Sequence, residues 1–330
     1  MTILVTGSSG HLGEALMRTL RAQGRAALGV DCRPGAFTQR VGSITDRGFV
    51  RAAMAGMTAV LHAATLHKPH VATHSRQDFI DVNVTGTLNL LEEAAAAKVE
   101  GFVYTSTTSV FGDALVPPPG QPAAWITEQV TSVPKNIYGV TKAAAEDLCQ
   151  LFARNDGLPV TVLRVSRFFP EQDDDPATRA RRADANIKLN EFLARRVDIE
   201  DVVEAHLCGL ARMPAGFAEY IISATTPFTP ADAAELRSRA PDVLRRIIPE
   251  HAAIYARHGW TMFEGLDRVY VNDKARHELG WRPRHDFRAV LARIASGGNI
   301  ASPLAQVIGS KGYHDGDGTT REIEEHAVPK

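Results

Sequence analysis

Short apolar runs alternate with longer amphipathic segments over the first two thirds of the chain. The runs Ile3–Thr6, Ala27–Asp31, Ala59–His62, Gly101–Ser106 and Pro159–Val165 are four to seven residues long and rich in Val, Leu and Ile. Runs so short and so continuously apolar predict strands buried on both faces, as in a parallel sheet. Between them, Leu12–Gln23, Asp46–Ala55, Phe79–Lys98 and Tyr138–Asn155 carry apolar residues at helical spacing. The alternation predicts an α/β fold, a Rossmann-type doubly wound parallel sheet with its site at the carboxyl ends of the strands.

Beyond Val165 the pattern loosens. Asp173-Asp174-Asp175-Pro176 predicts a turn, Val197–Met213 a helix and Glu219–Ser223 a strand, while Phe228–Gly280 reads as mostly helical and Asp286–Ala295 as a final helix. The expected division is a dinucleotide-binding domain over 1–170, rejoined by 197–225, and a smaller, mostly helical substrate region over 171–196 and 226–296. The stretch 297–330, rich in Gly, Asp, Glu and Lys, is expected to be a mobile tail.

Composition narrows the function classes. The 330 residues hold 37 Lys+Arg and 38 Asp+Glu, a net charge of −1, which gives no global drive toward nucleic acid or an acidic membrane. No apolar run reaches the ~18 residues of a membrane-spanning helix. Met1-Thr2-Ile3-Leu4-Val5 enters the first strand at once, so no signal peptide is expected. Cys32, Cys149 and Cys208 lie far apart with neither metal nor disulfide spacing, which fits a reducing cytoplasm. His62, His67 and His70 lack clustered Cys or carboxylate partners, so no metal site is expected; His62 reads as structural, and His67 and Lys68 as loop residues near a substrate.

Two motifs carry chemistry. Thr6-Gly7-Ser8-Ser9-Gly10-His11-Leu12-Gly13 joins the first strand to the first helix. Gly7 permits a tight turn, Gly10 a close approach to a pyrophosphate and Gly13 close helix–sheet packing, while the helix N-terminus offers free N–H donors. Asp31 ends the second strand, where a carboxylate accepts from the adenosine ribose hydroxyls and repels a 2′-phosphate; this favours NAD, although Arg33 nearby suits NADP. Further on, Tyr138 and Lys142 stand at i and i+4 of a helix, on one face. A cation beside a phenol lowers its pKa and fits it for acid–base work on an alcohol or carbonyl. The strand Gly101–Ser106 delivers Thr107, Thr108 and Ser109 to the site end of the sheet, as hydroxyls that can orient a substrate oxygen.

Together with His62-Ala63-Ala64 and Asn83-Val84-Thr85-Gly86-Thr87, these motifs make the chain resemble an extended short-chain dehydrogenase/reductase, in the NAD-dependent epimerase/dehydratase family typified by UDP-galactose 4-epimerase. The likeness is strong over 1–170 and returns weakly at Asp198–Ala205 and Leu279–Pro283. It implies Thr107, Tyr138 and Lys142 as catalytic residues. It implies NAD as cofactor, held by Gly7, Gly10, His11, Leu12, Gly13, Asp31, Ile44, Ala63, Ala64, Tyr138, Lys142 and Phe168. Ser43 departs from the Asp-Ile that many relatives carry against the adenine. The implied substrate contacts are Thr108, Arg167 and His67. A homodimer through Phe79–Lys98 and Tyr138–Asn155, with Leu88, Leu91, Leu148 and Leu151 outermost, is also implied.

The implied chemistry is hydride transfer at a secondary hydroxyl of a sugar or sugar acid. Thr108-Ser109 replaces the Asp-Glu of the 4,6-dehydratases, which argues against water elimination. Pro170 to Arg195 spans only about 25 residues, shorter than the nucleotide-gripping excursion of the epimerases and more like uronate dehydrogenase, unless Thr229–Gly280 supplies the grip. Arg167 stands where the epimerases carry Asn, and a guanidinium there suits a carboxylate or phosphate. Arg179, Arg181, Arg182, Arg195 and Arg196 read as solvated surface. A net sugar dehydrogenase is the leading expectation. A nucleotide-sugar 4-epimerase with retained NAD and a non-catalytic NAD-binding regulatory protein are the alternatives.

Overall fold

The computed structural model describes residues 1–173 and 175–311. Seven parallel strands build the main sheet: β1 (Ile3–Thr6), β2 (Ala27–Asp31), β3 (Arg40–Val41), β4 (Ala59–His62), β5 (Gly101–Thr107), β7 (Val160–Val165) and β8 (Phe217–Ile222), in the order β3-β2-β1-β4-β5-β7-β8. β1, β4 and β7 are buried along their whole length, as apolar runs flanked by helices on both faces must be. The strand order reverses between β1 and β4, and the crevice at that switch point opens at the carboxyl ends.

Two helical layers cover the sheet. α1 (His11–Ala22) and α8 (Ile199–Ala211) pack on one face through Leu12, Leu16, Leu20, Val202 and Val203. α2 (Arg47–Met54), α4 (Gly86–Ala96) and α5 (Ile137–Asn155) cover the other through Val50, Met54, Leu90, Leu91, Ala145 and Cys149. Caps set their starts: Asp46 accepts from Gly48 and Phe49 N–H to open α2, and Asn136 accepts from Gly139 N–H to open α5. The helical stretch ahead of α4 begins as α3 (Arg76–Phe79) and widens to a π-helix over Ile80–Thr85.

A second apolar core lies in the C-terminal region. α7 (Asp184–Phe192), α9 (Ala233–Ile247), α10 (His251–His258) and α12 (Phe287–Ala295) meet around Leu189, Phe192, Leu236, Leu244, Phe287 and Val290. The short helices α6 (Pro176–Arg181) and α11 (Asp273–Glu278) complete the set. A two-stranded parallel sheet links the regions: β6 (Ala124–Ile126), from the loop after β5, pairs with β9 (Arg268–Tyr270).

The Phe228–Gly280 stretch is mostly helical, as expected, with the short β9 inside it. Other expectations need correction. Asp286–Ala295 does not hold the last helix: α13 (Pro303–Ile308) lies within the supposed tail, capped by Ser302, and buries Ile308 in the core with α1 and α8. Residues 312–330 of that tail lie outside the described residues, as does Asp174 of the expected turn. Of the four leucines expected outermost, Leu91 is core, Leu88 and Leu148 are half-buried against it, and Leu151 is exposed. Among the described residues, no helix is long and apolar enough to cross a membrane.

Candidate functional site

A cavity of about 550 Å³ occupies the switch point. Its floor is the glycine loop. Gly7 has a φ of +73°, and a Cβ there would stand 2.8 Å from the Ala64 nitrogen; a Cβ on Gly13 would stand 1.9 Å from the Gly7 carbonyl oxygen. No other residue type fits either position without moving backbone. Thr6 fastens the neighbouring strand end, its Oγ1 accepting from the N–H groups of Ala63 and Ala64 and bonding to His62 Nδ1 at 2.8 Å. His62 is buried, with Nε2 on Thr87 Oγ1, so it is structural, as its position suggested. α1 starts at Gly10 without a side-chain cap, which leaves its first N–H groups for a ligand.

The residues read as cofactor contacts converge here. Gly7, Gly10, His11, Leu12, Gly13, Asp31, Ile44, Ala63, Ala64, Tyr138 and Phe168 all line the cavity, and Ser43 and Arg33 join them. Asp31 accepts from the N–H groups of Ser9 and Arg33, both at 3.0 Å, which fixes its carboxylate at the rim. The close glycine cradle, the uncapped helix and a rim carboxylate fit a dinucleotide. Lys142 is the exception. It does not line the cavity; it is 2% exposed, and its ammonium donates to the Thr105 carbonyl at 2.7 Å and lies over the Tyr104 ring.

That placement changes the expected acid–base balance. The spacing predicted a Lys142 ammonium beside the Tyr138 phenol, lowering its pKa. Instead burial pushes Tyr138 up to about 12, against the smaller, opposing pull of the Thr107 hydroxyl. Burial also pulls Lys142 down to about 7, despite the nearby charge of Glu146. The phenol is thus protonated at neutral pH in the free protein, and Thr107 at the end of β5 lines the same cavity.

The residues read as substrate contacts also line the cavity: Thr108, His67 and Arg167, with Lys68 beside them. His67 stacks on Phe169 with centroids 5.1 Å apart, and burial holds it well below its ordinary pKa, so it is neutral. Arg167 is already engaged, with Asp173 at 2.6 Å and the buried Glu191 at 3.5 Å. Arg195 and Arg196, read as solvated surface, in fact converge on Glu191 too, at 3.0 and 2.8 Å, and Arg196 is 4% exposed.

Sequence reasoning missed three groups. Glu146 continues the Tyr138–Lys142 spacing by one more turn; it bonds to Ser106 and is paired with Arg164 at 2.8 Å. Arg268, on β9, reaches the cavity from the C-terminal region. Glu171 lines it two residues beyond Phe169, and no local pattern marks it. Among the described residues, no group of His, Cys, Asp and Glu is arranged to hold a metal ion.

Comparison with known proteins agrees with this geometry. The fold and site define a dinucleotide-binding α/β protein of the extended short-chain type. Residues 3–222 match the NAD dependent epimerase/dehydratase family, and the chain belongs to that family. It is 33% identical over 185 residues to the sterol demethylase protein B of Methylococcus capsulatus, and spans about half of that relative, 54% of each chain. It is 26% identical to the UDP-glucose 4-epimerase of Rhizobium meliloti over 87% of this chain and 94% of that one. A short-chain dehydrogenase/reductase superfamily protein from Agrobacterium tumefaciens, solved with bound NAD, superposes with a TM-score of 0.65 at 25% identity, covering 90% of this chain and 96% of that one.

Two predictions follow from the packing and the charges. Gly13→Ala should destabilise the fold by about 1–3 kcal/mol and weaken NAD binding, read by thermal melts and titration calorimetry. For Lys142, the unfolded chain keeps a proton that the folded chain has lost between about pH 7 and its ordinary 10.5, so this group's burden on stability lightens as pH rises through that window. The melting temperature of Lys142→Met relative to wild type should therefore be highest below pH 7 and decline toward pH 9; a pH-independent difference would contradict a buried ammonium titrating near 7.

Proposed function

We propose that the protein is an NAD-dependent oxidoreductase that moves hydride at a secondary hydroxyl, or the matching ketone, of a sugar or sugar acid. The observation that carries this reading is that Thr107 and Tyr138 line one cavity together with the glycine loop. When bound, the nicotinamide cofactor supplies the hydride acceptor or donor. Thr107, at the end of β5, holds the substrate oxygen. Tyr138 exchanges the proton at its phenol oxygen: as a donor it serves reduction directly, and for oxidation it must first lose its proton, so the oxidative rate should climb with pH. Lys142 secures α5 to β5 through Thr105 rather than touching the substrate. Gly7–Gly13 would hold the pyrophosphate, Asp31 the adenosine ribose and Ile44 the adenine. Thr108, His67 and Arg167 would face the substrate, Arg167 with its charge already balanced.

A second reading is a nucleotide-sugar 4-epimerase that retains NAD through turnover. The match to the Rhizobium meliloti enzyme along nearly the whole of both chains favours it. Both readings share Tyr138. A homodimer completes the proposal: Ile80, Val140 and Leu151 are large apolar side chains left exposed on the π-helix and α5, with Val140 and Leu151 in line three turns apart.

Tyr138→Phe should cut turnover by about 10²–10⁴-fold while leaving NAD affinity within a few-fold, measured by absorbance at 340 nm and calorimetry. Accumulating NADH marks the dehydrogenase; tightly held NAD with product and no NADH marks the epimerase. Static light scattering should give twice the chain mass, and Val140→Asp with Leu151→Asp should halve it; a monomer in the unaltered protein would remove the dimer.

A further inference from the structure

Glu171 carries a feature that the acid–base residues do not explain. Its carboxylate lies at the cavity wall, 8% exposed, next to the stacked rings of Phe168 and Phe169. Three groups converge on one oxygen. Oε1 meets His11 Nε2 at 2.8 Å, Ser310 Oγ at 3.2 Å and the Lys311 N–H at 2.8 Å. Oε2 is also buried, but has no hydrogen-bond partner among the described residues. A buried carboxylate oxygen left unpaired is costly, and one that borders a cavity is normally satisfied by what fills it.

We propose that Glu171 is a cofactor-contacting residue whose Oε2 accepts a hydrogen bond from an N–H or O–H group on the nicotinamide half of the dinucleotide, with Ser310 and Lys311 as the strap that holds the carboxylate in place. The inference rests on the dinucleotide reading of the cavity. The chemistry of the acceptor selects the donor. Burial alone would raise the carboxyl's pKa, but the hydrogen bond and charge of His11 and the Lys311 N–H outweigh it and hold it at about 2. Glu171 is therefore ionised at neutral pH and can only accept. It would repel a phosphate, which leaves the carboxamide of the nicotinamide or the hydroxyls of its ribose as partners. The strap is anchored independently: Lys311 Nζ pairs with Glu14 of α1 at 2.5 Å, and α13 just before it packs on α1 and α8. The C-terminal segment thus reaches back to the glycine-loop helix and fixes an acceptor beside His11 at its start.

The test is calorimetric binding of NAD, ADP-ribose and ADP to nucleotide-free protein, which needs no turnover. Glu171→Gln should raise the NAD dissociation constant about tenfold, the loss of one charge-assisted hydrogen bond, while ADP binding stays unchanged. If ADP-ribose is also unchanged, the donor is the carboxamide; if ADP-ribose weakens with NAD, the donor is the ribose hydroxyl, and both results support the contact. Unchanged NAD affinity overturns it, and so does an equal loss for ADP, which would mean that the variant only disturbs the glycine loop. Ser310→Ala with Lys311→Pro, which removes both strap donors without touching Glu171, should weaken NAD about threefold and spare ADP; no change in NAD affinity would overturn the strap. Wild-type protein that binds neither NAD nor ADP would instead defeat the dinucleotide reading on which the proposal stands.

Discussion

The ammonium of Lys142, buried beneath the sheet's end and bonded to the Thr105 carbonyl, joins the two elements that carry the site. α5 brings Tyr138, β5 brings Thr107, and the Lys142–Thr105 bond fixes one against the other. Burying a cation this deeply is expensive unless its protons are satisfied and opposite charge is near. Both conditions are met only in part, by the Thr105 carbonyl and the Tyr104 ring and by Glu146 one turn along the helix, so burial still pulls Lys142 down to about 7. Glu146 is in turn held by Ser106 and Arg164, so the strand end that presents Thr107 is gripped from behind by a chain of polar contacts. The spacing that places a phenol and an ammonium on one helical face therefore also ties α5, which carries Tyr138, to β5, which carries Thr107.

The glycine loop imposes the complementary constraint at the other wall. Gly7 and Gly13 allow β1, α1 and the start of the segment after β4 to approach more closely than any side chain permits. Thr6, reaching across to His62, Ala63 and Ala64, locks the adjacent strand in register with that turn. The cavity lies between these two walls. Its remaining lining comes from the 167–172 stretch, the histidine loop and the C-terminal region, where Arg167 and Arg195 are already paired with acidic side chains.

How much of this the sequence disclosed follows from the range of the interactions involved. β1, β2 and β4 match their predicted bounds to the residue; β1 and β4 do so because a fully buried parallel strand writes itself as an apolar run. β3, β6 and β9 are two or three residues long and carry no period; β6 and β9 exist because each pairs with the other. α13 was hidden by a polar, glycine-rich setting, although Ser302 followed by Pro303 is a helix-start signal. The residues read as cofactor contacts were legible as a group because they cluster in local motifs tied to strand ends, and all but Lys142 line one cavity. Arg167 was legible as a charge at the cleft, but its partner Glu191 lies on α7, and nothing local announces that pairing. The same holds for Glu171, whose three partners come from α1 and from the far end of the described chain.

The β6–β9 pairing also bears on how the molecule acquires its structure. β6 sits in the chain between Thr107 and Tyr138, while β9 comes near the end of the second apolar core, so the two can meet only after a long loop has closed. Contacts of such high sequence separation form late and slowly. The connection between Thr107 and Tyr138 is therefore pinned down by a contact distant in sequence. A lesion confined to the C-terminal core would therefore be felt, through β9 and β6, in the segment between Thr107 and Tyr138 while the main sheet stays paired.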